Sequence, residues 1–375
     1  MNASNARWIA ALLAALAAFT ARAEPLPRFP AGAVWNQNVE SAALHPDSAS
    51  MISTLQGLGG FGNGRFQIDF SFRVVRSPGG APTVTLAELP SIDPADGYYL
   101  PDCDALGTEV PLPAGATIEG ETGMTCTDGP DENLIGDGDC HYLVVEGNLL
   151  HEVYRANLSG GELQSQCLAT WRLDVVYPPE GRGDHCTSAD AAGFPIAPLL
   201  FNADEIAASL AQDATGGGDI GHAIRFILPN GRIARDTSLQ GSVGGRLYVR
   251  PATHAGGPTG PVGTVPYGAR LRLRADFPLD GYNPAARVLL NTLKRYGMVL
   301  SDGGNIALTG ESDLYTTAKW ADLGLGTRVF DQTPGATDVF ASDFQVLDTG
   351  PRIAETYDCV RTEVALDVLF SDGFE

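Results

Sequence analysis

The run Phe66-Gln-Ile-Asp-Phe-Ser-Phe-Arg-Val74 alternates apolar and polar side chains without a break. Successive side chains of a strand point to opposite faces, so this two-residue period predicts a half-buried strand. The pattern recurs. His141 to Glu146 and Leu149 to Arg155 flank Gly147-Asn148, the spacing of a hairpin with a two-residue turn. Arg246-Leu-Tyr-Val-Arg250, Arg270-Leu-Arg-Leu-Arg274 and Val364 to Phe370 read as further strands. Helical signals are confined to Ala203–Gln212, which ends before Gly216-Gly217-Gly218, and to Pro284–Tyr296, with Asn283 as cap and Gly297 as stop. No sustained 3.5- or 3.6-residue pattern and no fixed-period repeat appears, which excludes long bundles, coiled coils and solenoids. The 45 Gly and 25 Pro of the 375 residues supply turns for many short strands. The expectation is a mainly β fold, a β-sandwich or jelly-roll-like domain with one or two short helices, formed by residues 24–375 as one disulfide-stapled unit.

The N-terminus adds a compartment. Arg7 precedes an apolar run from Trp8 to Phe19, and Ala21-Arg22-Ala23 follows before Glu24. A basic start, a short apolar stretch and a small-residue site describe a cleavable secretory signal over residues 1–23. A membrane anchor would need roughly 20 apolar residues. All six cysteines, Cys103, Cys126, Cys140, Cys167, Cys186 and Cys359, lie beyond that segment. An even count in an exported chain reads as three disulfides, with the pairing left open among 15 possibilities. No pair is spaced C-x-x-C, so zinc ribbons and thioredoxin-like redox sites are disfavoured.

Charge is divided unevenly. The formal net charge of −21 argues against nucleic acid or an anionic membrane as partner. Ser77 to Tyr154 holds 15 acids and no Lys or Arg, whereas Arg225 to Arg295 holds 11 basic residues against Asp236, Asp276 and Asp280. Two such surfaces either pair with each other or leave a basic face for a ligand.

Three blocks resemble a widespread group of secreted bacterial proteins: Thr187-Ser-Ala-Asp-Ala-Ala-Gly-Phe-Pro-Ile196, Gly221-His-Ala-Ile-Arg-Phe226, and Leu293-Lys-Arg-Tyr-Gly-Met298 running on to Asp302-Gly303. Val34-Trp-Asn-Gln37 and Gly268-Ala-Arg-Leu-Arg-Leu-Arg274 are similar to that group as well. The resemblance covers most of residues 34–305 and carries no activity with it, so no residue role follows from it. The closing Phe370-Ser-Asp-Gly-Phe-Glu375 resembles the endings of some secreted Gram-negative proteins, which implies a secreted or periplasmic location in such a bacterium.

Chemistry is sought first on the arginine strands. Strand periodicity puts Arg246, Tyr248 and Arg250 on one face and Arg270, Arg272 and Arg274 on another. Paired through the Gly/Pro-rich loop Thr253 to Thr264, they would form a patch for an anionic glycan, since guanidinium forks match carboxylates and sulfates. Tyr248, or His254 at the mouth of the patch, would then move protons in a lyase. The plainer reading is an outer sheet face in salt bridges with the acidic stretch. The hairpin offers a second arrangement: Glu152 and Tyr154 share a strand face near His141, and Glu152 with Asp190 or Asp139 would make a hydrolase pair. Here the plainer reading is coincidence among 45 acids. His222 alternates with Ile224 and Phe226 and reads as a core histidine, with Arg225 pointing the other way towards solvent or a groove. Asp128, Asp131, Glu132, Asp137 and Asp139 crowd a Gly-containing loop with the oxygen ligands calcium prefers, though not in EF-hand order. The chain otherwise calls for no cofactor. The absence of G-x-S-x-G, H-E-x-x-H and G-x-x-x-x-G-K-[ST] disfavours serine hydrolases, zinc proteases of that class and nucleotide-driven enzymes. The expectation is a secreted carbohydrate-active protein that cleaves an extracellular polysaccharide, as lyase or hydrolase. The alternative is a non-catalytic glycan-binding or structural protein.

Overall fold

The computed structural model describes residues 26, 28–90, 97–127 and 138–362. The signal segment 1–23, the strand expected at Val364 to Phe370, and Asp128, Asp131, Glu132 and Asp137 lie outside the described residues. The fold is mainly β. In chain order α1 (Ser48–Gly57) leads to β1 (Ile68–Phe72). Eight strands follow: β2 (Val74–Ser77), β3 (Thr83–Glu88), β4 (Glu109–Pro111), β5 (Tyr142–Glu146), β6 (Leu149–Tyr154), β7 (Asn157–Ser159), β8 (Glu162–Ser165) and β9 (Cys167–Arg172). Then come β10 (Gly183–Asp184), α2 (Ala203–Gln212), β11 (Ile224–Leu228), β12 (Leu247–Tyr248), β13 (Arg270–Leu273) and α3 (Pro284–Arg295). The chain continues through β14 (Met298–Gly303), β15 (Leu308–Glu311), α4 (Trp320–Leu323), β16 (Phe344–Val346), β17 (Ile353–Ala354) and β18 (Val360–Arg361).

Two four-stranded sheets, ordered β2-β5-β6-β9 and β4-β3-β8-β7, pack face to face. Alternation along the first sheet explains how. Val75, Tyr142, Val144, Val153 and Leu168 meet Val84, Leu86, Val110 and Leu163 of the second sheet. Val74, Leu143, Val145, Leu150 and Trp171 point the opposite way, onto Phe29, Ile196, Ala197 and Leu200. The first sheet is therefore buried on both faces, which is why Tyr142 to Val145 reads as a continuous apolar run. A six-stranded mixed sheet, β1-β15-β11-β14-β13-β16, anchors the largest core together with α1, α2 and α3.

The expected hairpin forms, with Glu146 opposite Leu149. Helix α2 starts on a capping box in which Asn202 and Glu205 accept each other's backbone N–H. Helix α3 starts on Asn283, whose side chain accepts from Ala286 N at 2.8 Å, and stops at Gly297, whose φ of +69° suits glycine. Helices α1 and α4 come in addition to the two expected. The expected strand Phe66 to Val74 is divided at Arg73, and its halves enter different sheets. The Asp69 carboxylate accepts from Ser71 N, and the Arg73 guanidinium donates to Ile118 O, so the ladder is interrupted there.

The arginine strands do not pair with each other. Strand β13 is flanked on both edges, by β14 and β16, and β12 pairs with β17. Only an isolated bridge from Tyr248 to Tyr267 links the two regions. The expected salt bridges between the acidic stretch 77–154 and the basic stretch 225–295 are not formed among the described residues. Arg225, Arg250, Arg274 and Arg295 find their carboxylates elsewhere, on Asp190, Asp184, Asp276 and Asp219.

Three disulfides join Cys103 to Cys167, Cys126 to Cys140 and Cys186 to Cys359. Such cross-links belong to chains folded in an oxidising compartment, outside the cytoplasm. No helix among the described residues is long and apolar enough to cross a membrane.

Candidate active site

The segment 187–196, which follows the Cys186–Cys359 disulfide, is the hub at which distant parts of the chain meet. Ser188 folds it by donating to Phe194 O at 2.7 Å, and Asp190 accepts from Ala192 N. Gly193 allows its close packing: it has a φ of +76°, and a Cβ there would lie 2.1 Å from Thr253 Oγ1. Each residue of the turn then holds another segment. Ala189 O accepts from His141 Nε2 at 3.0 Å, the Asp190 carboxylate takes Arg225, Ala191 O accepts from His254 Nδ1 at 2.7 Å, and Ala192 N donates to Ser301 O.

Arg225 and Asp190 form a fully buried ion pair, Nη2 to Oδ2 at 2.7 Å. Arg225 also donates to Thr309 Oγ1 and stands 5.0 Å over the Phe72 ring. Its Nη2 lies 3.8 Å from Asp302 Oδ2. The Arg225 side chain is thus turned into the core, not towards solvent as alternation suggests. Asp302 is the outer member of this group, with 30% of its side chain exposed. Its carboxylate accepts from Gly303 N at 2.7 Å. Crowding by the protein, with the negative charges of Asp190 and Asp139 and against the opposing pull of Arg225, pushes Asp302 up to about 7.

Strand β6 places Glu152 and Tyr154 on one face, and the hairpin register puts His141 beside Tyr154, with ring centroids 5.4 Å apart. His141 Nδ1 meets Glu119 Oε2 at 2.7 Å. Ser71 Oγ donates to the other oxygen of Glu119, or to Asp69, at 2.8 and 3.0 Å. Burial pulls His141 down, but the Glu119 hydrogen bond and the charges of Glu119 and Asp139 outweigh it and raise the ring to about 9. Near neutral pH it is an imidazolium. Burial holds the Tyr154 phenol well above the ordinary tyrosine range, and its hydrogen bond to Asp139 acts in the same direction. Asp139 itself is exposed.

The group that faces outward is therefore Asp302, Asp139 and Tyr154. Behind it stand two buried dyads, Arg225–Asp190 and His141–Glu119. A proton donor, a carboxylate and a phenol at the rim, backed by fixed positive charge, can bind a hydroxylated ligand and transfer protons to it. Of these residues, sequence reasoning singled out His141, Tyr154, Asp139 and Asp190. It missed Asp302 and Glu119. Asp302 closes the third of the blocks quoted above, and Asp190 and Arg225 lie in the other two, so those blocks meet at one place.

The remaining expected site residues lie elsewhere or serve the fold. Glu152 is fully buried and its carboxylate accepts from Ile196 N and Ala197 N at 2.8 Å, holding the turn at 197–199 as an N-terminal anion does. Burial raises it to about 7 in spite of those hydrogen bonds. With Asp190 equally buried, the expected Glu152/Asp190 pair cannot meet a substrate. Tyr248 is buried, its hydroxyl donating to Asp184 at 3.3 Å. His254 lies under the Tyr357 ring, centroids 5.2 Å apart, and burial lowers its basicity.

The five arginines do not make one patch. Arg246 stands over Tyr357, Arg250 pairs with Asp184, Arg272 donates to the carbonyls of Val39, Glu40 and Ala42, and Arg274 reaches Asp276 and Asp343. Arg270 is buried; it and Arg250 line a common groove. Of the expected calcium ligands only Asp139 is described, and it serves Tyr154. Among the described residues the one cluster of metal-ligating types is Glu121, Cys126 and Cys140, in which both sulfurs are in a disulfide. Comparison with protein-family models, with curated proteins and with solved structures finds no match to this chain.

Proposed function

We propose that the protein is a secreted glycoside hydrolase acting on an extracellular polysaccharide, with Asp302 as the proton donor. One observation carries this reading: Asp302, a partly exposed carboxyl at the rim, is crowded by the protein and by the charges of Asp190 and Asp139, which raise its affinity for a proton to about 7, and the exposed Asp139 stands with it. One carboxyl as acid and a second as base are what glycosidic bond cleavage requires. Asp302 gives its proton to the leaving glycosidic oxygen as the bond to the anomeric carbon breaks. Water supplies the new oxygen on that carbon and yields its proton to Asp139. Tyr154 orients Asp139 through their hydrogen bond, and Arg225 and the His141 imidazolium hold the site together against its own negative charge.

Hydrolysis is preferred to lyase chemistry because the lyase reading rested on a shared arginine face with Tyr248 or His254 beside it. Those arginines are engaged by separate internal partners, and Tyr248 is buried. The test incubates the purified protein with a panel of neutral and anionic polysaccharides and follows reducing ends together with the ultraviolet absorbance of unsaturated products. New reducing ends without unsaturation are expected. Unsaturated products would overturn the assignment to hydrolysis, and no product from any polymer would leave a non-catalytic glycan-binding protein as the better reading.

A further inference from the structure

The groove lined by Arg270 has a volume of about 430 Å³, within the range of small-ligand pockets. Its walls carry Phe29, Trp35, Trp171, Tyr177 and Phe194, of which Trp35 and Tyr177 are partly exposed and the other three are buried. Gly193 and Phe194 belong to the same turn that holds Asp190, which places the groove one short loop away from the acidic cluster. Stacking on aromatic faces is how proteins bind flat apolar ring surfaces while leaving hydroxyls free.

Arg270 sets the charge preference. Its side chain is buried, with 3% of the residue exposed, yet it donates to three neutral carbonyls, Tyr296 O, Val34 O and Gln37 O, at 2.8, 2.9 and 3.0 Å. No carboxylate among the described residues pairs with it, and burial alone lowers it to about 10. The other arginine of the groove, Arg250, has Asp184 at 2.6 Å, and the buried Arg225 has Asp190 at 2.7 Å. Asp348 lines the mouth of the groove but is exposed to solvent, which screens it. A buried cation that keeps only carbonyl partners leaves its net charge uncompensated, and three hydrogen bonds account for three of its five N–H donors.

We propose that this groove binds a pyranose ring bearing a carboxylate, a uronic acid unit of a glycan, with the carboxylate drawn to Arg270 and the ring held against the partly exposed Trp35 and Tyr177. The inference deepens the proposed function by naming the substrate class, and the groove would act as a subsite that holds the chain while the acidic cluster cleaves it.

Intrinsic tryptophan fluorescence reports on the groove directly, because Trp35 and Trp171 line it. The full chain is titrated with an oligoglucuronate, with the matching neutral oligoglucose and with acetate. A saturable change with the oligoglucuronate is expected, with at least ten-fold weaker binding of the neutral oligomer and no change with acetate. Arg270→Gln weakens uronate binding at least ten-fold. Because that substitution also strips three carbonyls of their donor, Tyr177→Ala on the groove wall serves as the second variant, with a comparable loss. The readout is binding and not product, so saturable uronate binding by a protein that cleaves no polymer, or cleavage without such binding, tells a failure of the hydrolase reading from a failure of the groove. Equal affinity for the neutral oligomer, unaltered binding in Tyr177→Ala, or no saturable change with any sugar would overturn the proposal.

Discussion

Asp302 and His141 are the two titrating side chains whose environments differ most usefully from water. As a proton donor Asp302 must be protonated, so the rate of cleavage is expected to fall as pH rises through about 7, the value to which burial and the charges of Asp190 and Asp139 bring it. A pH–rate profile without that alkaline limb would contradict the role. His141 acts on stability. Its folded value of about 9 stands above the ordinary histidine value of 6.5, so its contribution is fully present below pH 6.5 and is lost as pH rises through about 9. The difference is worth on the order of 3 kcal/mol. Glu205 works at the other end. Arg28 and His222 offset its burial and lower it to about 2, so its contribution is lost as pH falls from 4.5 through 2. Glu152 and Asp302, each raised to about 7, favour the folded state less as pH rises from about 4.5 to 7, so Tm is expected to be highest near pH 4.5 and to fall towards pH 9, and His141→Asn is expected to flatten the decline between pH 6.5 and 9. A wild-type Tm that keeps rising from pH 7 to 9 would sink the His141 assignment. At this scale the sequence was legible in part. It pointed to His141, Tyr154, Asp139 and Asp190, but among 45 acids nothing local marks Asp302 as the carboxyl that Asp190 and Asp139 surround.

The elements that bring these residues together are a hairpin, the turn 187–196 and two neighbouring parallel strands. Strand β11 supplies Arg225 and β14 supplies Asp302, paired in parallel with Arg225 opposite Val299. The Asp190–Arg225 bond ties that sheet to the turn, and the Glu152 carboxylate ties the turn to β6. Removing one partner of a buried ion pair leaves an unpaired charge, so Asp190→Ala is expected to destabilise the protein by about 3–5 kcal/mol. A double change to Ala at Asp190 and Arg225 should cost less than the sum of the single changes, as chemical denaturation of the four-member cycle would show; strict additivity would mean the pair is not coupled. The hairpin and both capped helices could be read from sequence because each is specified by neighbours within a dozen residues. Strand partnership could not. Arg246–Arg250 and Arg270–Arg274 look alike in period and composition, yet both edges of β13 are taken by β14 and β16, and nothing within either run says so. The single strand read over Phe66 to Val74 failed for a related reason: alternation continues through Arg73, while its hydrogen bond to Ile118 O turns the chain from one sheet into another.

Across the whole molecule, a three-layer arrangement of cores places the acidic cluster where the sandwich meets the six-stranded sheet, and disulfides fix the outlying segments. The Cys186–Cys359 bond closes a separation of 173 residues and holds the strap that carries Glu355 and Tyr357. Glu355 accepts from Ala255 N at 2.9 Å, and Tyr357 covers His254. Replacing both cysteines by serine is expected to cost about 2–5 kcal/mol and to lower Tm, since so long a loop regains much freedom in the unfolded chain. An unchanged Tm would mean that the strap holds itself by its other contacts. The even cysteine count made three bonds legible, and only the fold chooses their partners. The most direct test of the central claim compares reducing-end release from a polyuronate by wild type, Asp302→Asn and Tyr248→Phe under identical conditions. The account predicts activity in wild type and Tyr248→Phe and a loss of about 100-fold or more in Asp302→Asn with its fold intact, the scale of a lost general acid. Full activity in Asp302→Asn, or its loss in Tyr248→Phe instead, would contradict it.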